Sequence, residues 1–269
     1  MSCCSPDPYT VQFLCGAHYG KVSSQLHGQP SDVTLTIHRW QLNVHWQVLV
    51  THSRFFGSLF QTDPLQRHID LNRSSLTPEG LRMVLAFMYK GQIGVSADCL
   101  YHALLAACTL EMSELQTLLD TYLLAISQHG SLTLWCLDLA HGLSVASKVR
   151  QQLTERCAKQ WQQISQTPHL YNIHAEALRA VLKSDAMEEQ DQVQLLRTVV
   201  DWLTQNPHHR RAARPLIACI RLHLLSRQQH TECMQIADAL GFGSLLLDQI
   251  NSHTAFDLTH AGELVAQGH

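Results

Sequence analysis

The residue types with the widest chemical range in this chain are its eighteen histidines and nine cysteines. They are scattered along the sequence, and the closest pair with ligand-like spacing is Cys15-Gly-Ala-His18. A structural zinc ion needs four ligands, so one close pair supplies half of a site. The spacing therefore predicts neither a metal centre nor a bound cofactor.

Catalytic motifs are also missing from the sequence. Nucleophilic catalysis needs a Ser-His-Asp or Cys-His set in a supporting context, and phosphate binding needs a glycine-rich turn between a strand and a helix. Neither pattern occurs in such a context, so the chain is predicted to be non-catalytic. The densest positive cluster, His208 to Arg211 with Arg214, follows a predicted helix ending at Asn206. Because cations stabilise the carboxyl end of a helix, we interpret this cluster as a solvated helix end.

Composition limits the class of partner and the compartment. The net charge is −3, charged residues make up 15% of the chain, and no long basic run predicts nucleic-acid binding. Apolar stretches such as residues 132–140 end far short of the roughly 18 residues that a membrane span needs. The N-terminus, MSCCSPDPYT, lacks the features of a secretory signal. A cytosolic or nuclear protein with reduced thiols is predicted.

The periodicity of residues 31–60 predicts two strands followed by helix. Val33, Leu35 and Ile37 alternate with polar residues, and a second alternation follows a turn at His38 and Arg39. From Val48 onward the apolar residues fall near helical spacing. A small sheet packed with helices, an α+β fold, is expected for residues 9–127.

Further helix signals lie on both sides of this segment. Residues 9–26 carry an apolar stripe that predicts a first helix. Thr77-Pro78-Glu79 is a strong helix start and Gly91 a stop, with later helices opening at Ser96 and Ser113.

The second half of the chain shows only helical periodicity. A Gly130-Ser131 break precedes amphipathic stretches that continue to about residue 248, including a long helix over 145–164. An all-helical domain is expected over residues 131–248, with tails at 1–8 and 249–269.

The first region resembles the BTB (POZ) domain family. That family opens with Ser-Asp-Val, two strands, a histidine, a basic residue and a Val-Leu helix ending in Ser-x-Phe-Phe; a later helix ends in Tyr-x-Gly. The matching residues are Ser31, Asp32, Val33, Val44, His45, Trp46, Val48, Leu49, Ser53, Phe55, Phe56, Tyr89 and Gly91. His45 is expected to hydrogen-bond the local backbone.

The second region resembles the BACK domain. The family pattern places Ser-Asp before a helix ending in tryptophan and then a Val-Arg-Leu-Pro-Leu-Leu-Ser stretch. Here these are Ser184-Asp185, Trp202 and the run from Ile220 to Ser226, in which His223 replaces the proline. BTB followed by BACK is the arrangement of kelch-like adaptors, which continue into repeats of about 50 residues that are absent from this sequence.

The BTB resemblance implies a dimer, either with itself or with another BTB protein. The first helix of such domains packs across a two-fold axis, so the implied interface is Val11, Leu14, Cys15, His18 and Val22. The alternative is that this helix caps its own domain.

The resemblance also implies an interface for cullin-3, the scaffold of a ubiquitin ligase. The corresponding residues are Phe56, Phe60, Leu65, Gln66, Tyr101, Leu105, Leu134 and Leu137. Two positions depart from the family pattern. Gln66 replaces a glutamate common in cullin-binding members, and Trp46 replaces the base that pairs with Asp32 in domains that recruit corepressors.

Two functions follow from the resemblance. The chain is expected to be a dimeric, substrate-specific adaptor of a cullin-3 RING E3 ubiquitin ligase that holds an unknown protein substrate. The alternative is a non-ligase BTB assembly or regulatory protein, which pairs with full-length kelch-like proteins or recruits a transcriptional corepressor.

Overall fold

The computed structural model describes residues 11–14, 29–143, 145–239, 241, 243–244 and 246–247. These residues divide into two compact units. The first runs to Ile126 and includes 143–146, and the second contains 127–142 and the residues from 147 onward. Each unit is considered separately below.

A three-stranded sheet organises the first unit. Strands β2 (Val33–Ile37) and β3 (Trp40–Val44) form an antiparallel hairpin, and β4 (His68–Asp70) pairs with β2 in parallel, giving the order β3-β2-β4. Val33, Leu35 and Ile37 are buried while the threonines between them are partly exposed. The predicted hairpin is confirmed, because the alternation places every second side chain in the core.

Five α-helices accompany this sheet in the described part of the first unit. They are α1 (Trp46–His52), α2 (Arg54–Thr62), α3 (Pro78–Lys90), α4 (Ala97–Thr109) and α5 (Ser113–Ile126). The start of α3 is as predicted, since the Thr77 hydroxyl accepts the Gly80 N–H at 3.1 Å. Its end is also as predicted, with Gly91 in the left-handed conformation at φ 65°.

A two-stranded ribbon corrects the expectation for the N-terminal segment. Strand β1 (Val11–Leu14) runs antiparallel to β5 (Gln92–Val95). The predicted helix over 9–26 is therefore wrong at Val11 and Leu14, because pairing with β5 supplies hydrogen bonds that local periodicity does not reveal. Cys15, His18 and Val22 lie outside the described residues.

The second unit is helical throughout its described residues, in agreement with the prediction. Its α-helices are α6 (Gly130–Gly142), α7 (Ser147–Lys159), α8 (Trp161–Ile164), α9 (Ala175–Leu182), α10 (Gln192–Gln205), α11 (Ala213–Ile217) and α12 (Arg227–Ala239). Four 3₁₀ turns connect them, at Pro168–Asn172, Asp185–Met187, Pro207–Ala212 and Leu222–Leu224. The single helix expected over 145–164 is divided at Gln160, whose backbone leaves the helical region.

The described cysteines are reduced and at least partly buried. All six are free thiols, and Cys136, Cys157 and Cys233 are buried. Burial raises the pKa of both Cys136 and Cys157 to about 12, so these thiols stay protonated at neutral pH. Among the helices that the structure describes, none combines the length and apolarity needed to cross a membrane.

Arg221 fixes the turn between α9 and α10. Its guanidinium donates to the carbonyl oxygens of Leu182 at 3.3 Å and Ser184 at 3.1 Å, and to the Glu188 carboxylate at 3.2 Å. Its backbone N–H donates to the side chain of Gln192, which is 3% exposed. One arginine therefore gives the Leu182 carbonyl a donor and adds a second donor to the Ser184 carbonyl, which also accepts the Met187 N–H at 2.9 Å.

We expect Arg221→Met to destabilise the second unit by about 2 kcal/mol, because it removes charge-assisted hydrogen bonds to partly buried acceptors. Urea unfolding followed by circular dichroism measures the loss. Arg227→Met, at an exposed position of α12, is the matched control and should change stability by less than about 0.5 kcal/mol. Equal losses in the two variants would contradict the role given to Arg221.

Candidate functional site

A buried serine sets the positions of the two helices that carry the predicted interface. Ser53 is 1% exposed, and its hydroxyl donates to the Leu110 carbonyl at 2.6 Å while accepting the Phe56 N–H at 3.2 Å. The Arg54 N–H also points at the Glu111 carbonyl, 3.5 Å away. The first turn of α2 is thereby held against the carboxyl end of α4.

The loop after α2 is shaped by its own hydrogen bonds. The Asp63 carboxylate accepts the Leu65 N–H at 3.2 Å, and the Arg67 guanidinium donates to the carbonyls of Pro64 at 3.1 Å and Gln66 at 3.3 Å. Leu65 is consequently held on the outside of the loop with 81% of its surface exposed. A leucine presented in this way is available to a partner.

The phenylalanines predicted to line the interface have a different role. Phe56 is fully buried and Phe60 is 8% exposed, so both contribute to the core. For Phe56 the expected partner contact is wrong, because no part of its side chain reaches the surface. Helical spacing placed these phenylalanines on an apolar stripe, but it could not show which of them face the core and which face a partner.

Helix α4 provides a second exposed position. Tyr101 is 44% exposed and Leu105, one turn later, is half-buried on the same face. The neighbouring His102 contacts the Thr77 hydroxyl through Nδ1 at 3.1 Å and approaches Glu79 through Nε2 at 3.6 Å. These contacts connect α4 to the start of α3.

Gln66 uses its amide locally. Nε2 donates to the His68 carbonyl at 3.3 Å. A carboxylate at this position could not donate that bond and would have to face outward, because a charged glutamate is only an acceptor. The side chain therefore departs from the family pattern in hydrogen bonding as well as in charge.

Trp46, which replaces the base of the family pattern, borders a concave pocket. Its ring meets Phe60 edge-on with centroids 6.2 Å apart, and its backbone N–H donates to Asp32 Oδ1 at 2.9 Å. The ring of Trp46 therefore packs against the neighbouring helix α2. The pocket has a volume of about 380 Å³, and its wall includes Val50, Gly57 and Arg67. Sequence reasoning missed it because α1 and α2 come together only after the break at Ser53.

His45 forms the predicted bond to the backbone. Its Nε2 lies 3.3 Å from the Gln29 carbonyl and its Nδ1 lies 2.9 Å from the Tyr89 hydroxyl. Since a carbonyl only accepts, Nε2 carries the proton and Nδ1 accepts from Tyr89. Burial raises the pKa of Tyr89, which keeps this hydroxyl a donor. The arrangement anchors the start of α1.

The helix that opens the second unit does not expose its predicted contacts. Leu134 is 3% exposed and Leu137 is fully buried, so the expectation that they meet a partner is wrong. The exposed apolar side chain of α6 is Trp135, at 36%. Residue type could not have separated Trp135 from its neighbours, because residues 134–137 are all apolar.

His52 ends α1 beside the Ser53 junction. Its ring contacts Phe87 edge-on at 6.4 Å between centroids. Burial lowers the pKa of His52 from 6.5 to about 4. Desolvation therefore outweighs the preference for a cation at a helix carboxyl end.

Comparison with known proteins identifies both regions. A BTB/POZ domain model matches residues 22–127, and a model described as BTB And C-terminal Kelch matches 136–235. Human Kelch-like protein 26 is 26% identical over 225 residues, which cover 82% of this chain and 36% of that protein. Mouse Kelch-like protein 15 is 27% identical over 198 residues, covering 72% and 33%. The chain spans about a third of the length of these curated relatives.

Solved structures were compared with the chain as well, and one of the similar ones is a BTB domain. The BTB domain of human Gigaxonin aligns with 20% identity and a TM-score of 0.35, covering 45% of this chain and 98% of that one.

Ser53→Ala should destabilise the first unit by about 1–3 kcal/mol, since it removes a buried donor from the Leu110 carbonyl and the cap from α2. Urea unfolding gives the total loss, and hydrogen exchange should accelerate at residues 54–57. Ser58→Ala changes an exposed serine of the same helix and should have little effect on either measurement. Unchanged exchange at the junction in Ser53→Ala would contradict the link between α2 and α4.

The lowered pKa of His52 predicts acid sensitivity. Between pH 6.5 and 4 the unfolded chain binds the proton and the folded chain does not, so this contribution to stability is lost as the pH falls. The unfolding free energy of His52→Gln should therefore decline less between pH 7 and pH 4.5 than that of the parent. His68→Gln, at an exposed histidine, is the control and should follow the parent. Parallel pH profiles for parent and His52→Gln would refute the assignment.

Proposed function

Because the chain belongs to the BTB–BACK proteins of the kelch-like type, we propose that it is a non-catalytic protein-interaction adaptor and that its BTB domain binds cullin-3. In this role it would bring a protein substrate to a RING E3 ubiquitin ligase. Dimerisation through the segment from Val11 to Val22 is part of the proposal, with the chain itself or a related BTB protein as partner. A cytosolic or nuclear location fits this role.

The observation that carries the proposal is the fixed exposure of Leu65. The Asp63 and Arg67 hydrogen bonds hold the loop in the free protein. Binding therefore does not carry the entropic cost of ordering this loop. Tyr101 adds an exposed aromatic ring on α4, a helix held to α2 through Ser53. Aromatic and aliphatic anchors on a rigid support are typical of residues that concentrate binding energy.

The docking face also differs from the family pattern in a way that predicts reduced affinity. Loss of a charged hydrogen bond at an interface costs about 1.5–3 kcal/mol, which is roughly a tenfold to hundredfold change in the dissociation constant. Gln66 lacks the carboxylate that would make such a bond. We therefore expect cullin-3 binding to rest mainly on the apolar anchors.

The second candidate is a BTB regulator that assembles with kelch-like partners without engaging the ligase. Gln66 favours this candidate because the missing carboxylate weakens the cullin contact. A corepressor role has less support, since Asp32 binds the backbone N–H of Trp46 and no base occupies position 46. Direct measurement of cullin-3 affinity separates the adaptor from the regulator.

Leu65→Asp should abolish binding to the N-terminal region of cullin-3 in calorimetry, because it places a charge where an apolar contact is required. Tyr101→Ala should weaken binding about tenfold or more. Leu224→Asp alters another exposed leucine, in the second unit, and should bind like the parent. A micromolar parent complex that Leu65→Asp leaves intact would reject this face, and no detectable parent binding would favour the regulator.

Gln66→Glu should tighten cullin-3 binding by about tenfold, because it restores the carboxylate at the cost of one exposed hydrogen bond to the His68 carbonyl. Gln61→Glu adds the same charge on the exposed surface of α2 and controls for a general electrostatic effect. Equal gains in the two variants, or no gain in Gln66→Glu, would show that Gln66 is not at the contact.

A further inference from the structure

An exposed basic surface lies on the second unit. It consists of His208, His209, Arg210, Arg211 and Arg214, all exposed to solvent. None of these five forms an ion pair among the residues that the structure describes. By contrast, Arg179, Arg197 and Arg221 of the same unit are paired with Glu176, Glu232 and Glu188. We call these five residues the basic surface.

The three arginines lie close together in sequence, on a 3₁₀ turn and the short helix that follows it. Arg210 and Arg211 lie in the 3₁₀ turn Pro207–Ala212, which leads directly into α11 (Ala213–Ile217), where Arg214 lies in the first turn. Residues three and four positions apart are neighbours on a helix, so Arg214 is adjacent to both of the others. Arg210 and Arg211 are consecutive and point in different directions, so Arg214 is the residue that neighbours both of them.

The backbone beneath the basic surface is fixed by packing. Ala213, Leu216 and Ile217 are buried, and the Asn206 side-chain amide donates to the carbonyls of Tyr171 at 2.9 Å and Trp202 at 3.0 Å. Within the 3₁₀ turn, the centroid of the His209 ring lies 5.6 Å from that of buried Trp202. The arginines therefore project from a supported turn.

The helix dipole does not account for this charge. Helix α10 ends at Gln205, and the favourable effect of a cation is confined to the last turn of a helix. Arg210 and Arg211 lie beyond that turn and directly before the amino end of α11, where the dipole disfavours positive charge. The interpretation of the whole cluster as a solvated helix end is therefore incomplete, because its arginines gain nothing from α10.

We propose that the basic surface binds an acidic segment of a partner protein, rich in aspartate and glutamate. Guanidinium groups match carboxylates in a two-pronged geometry, and three neighbouring ones can engage a short run of them. Nucleic-acid-binding surfaces typically neutralise about 6–10 phosphates, and this surface is too small for that. The inference does not depend on cullin-3 binding, because all of its residues lie in the second unit.

Fluorescence anisotropy with a labelled peptide of alternating glutamate and glycine tests the proposal on the full chain. The peptide should bind saturably, and binding should weaken as salt rises toward about 0.3 M, because screening shortens the range of the attraction. The combined variant Arg210→Glu, Arg211→Glu and Arg214→Glu should lose about tenfold or more in affinity. A glutamine version of the triple variant, which adds no negative charge, should lose affinity in the same direction and replaces the glutamate version if that does not fold.

The matched control changes three exposed arginines elsewhere, as Arg39→Glu, Arg73→Glu and Arg227→Glu, and so alters the net charge equally. It should retain most of the peptide affinity. Equal losses in the two triple variants would overturn the proposal, because overall charge alone would then explain binding. Tighter binding of a single-stranded oligonucleotide or of phosphatidylserine vesicles than of the acidic peptide would also overturn it.

Discussion

The hydroxyl of Ser53 is the interaction on which the arrangement of the first unit depends. The chain must leave one helix and begin another at this residue, and its extended backbone exposes N–H groups that need an acceptor. One buried oxygen caps α2 and donates to the carbonyl that ends α4. Because both helices of the proposed docking face meet at this atom, the relative positions of Leu65 and Tyr101 depend on a residue that is itself hidden.

Polar side chains in both units act mainly on the backbone. Asp32 accepts the Trp46 N–H, Asp63 accepts the Leu65 N–H, and Arg221 donates to two carbonyls. Each group supplies a hydrogen-bond partner to the backbone where the chain turns, at exposed positions for Asp32 and Asp63 and at partly buried ones for Arg221. Asp32 belongs to the family pattern and could be interpreted as a functional charge. In this structure its carboxylate binds the backbone N–H of Trp46.

The sequence predicted those helices and strands whose ends or alternation are set by neighbouring residues. It did not predict features that depend on contacts between residues far apart in the chain. Thr77-Pro78 and Gly91 mark α3 without help from other residues, and the alternation of Val33, Leu35 and Ile37 defines β2. Strand β1 was missed because its hydrogen bonds come from β5, about 80 residues later. The buried positions of Leu134 and Leu137 were missed because residue type does not state which face of a helix is covered.

The two proposed contact surfaces differ in their physics, and this difference makes them separable. Leu65 and Tyr101 present apolar area, whose burial responds weakly to ionic strength, whereas the arginines beside α11 act through charges that salt screens. A net charge of −3 hides this contrast, since composition averages the basic surface against acidic residues elsewhere. If one partner occupies each surface, raising the salt should release the acidic partner first, because only its attraction is screened.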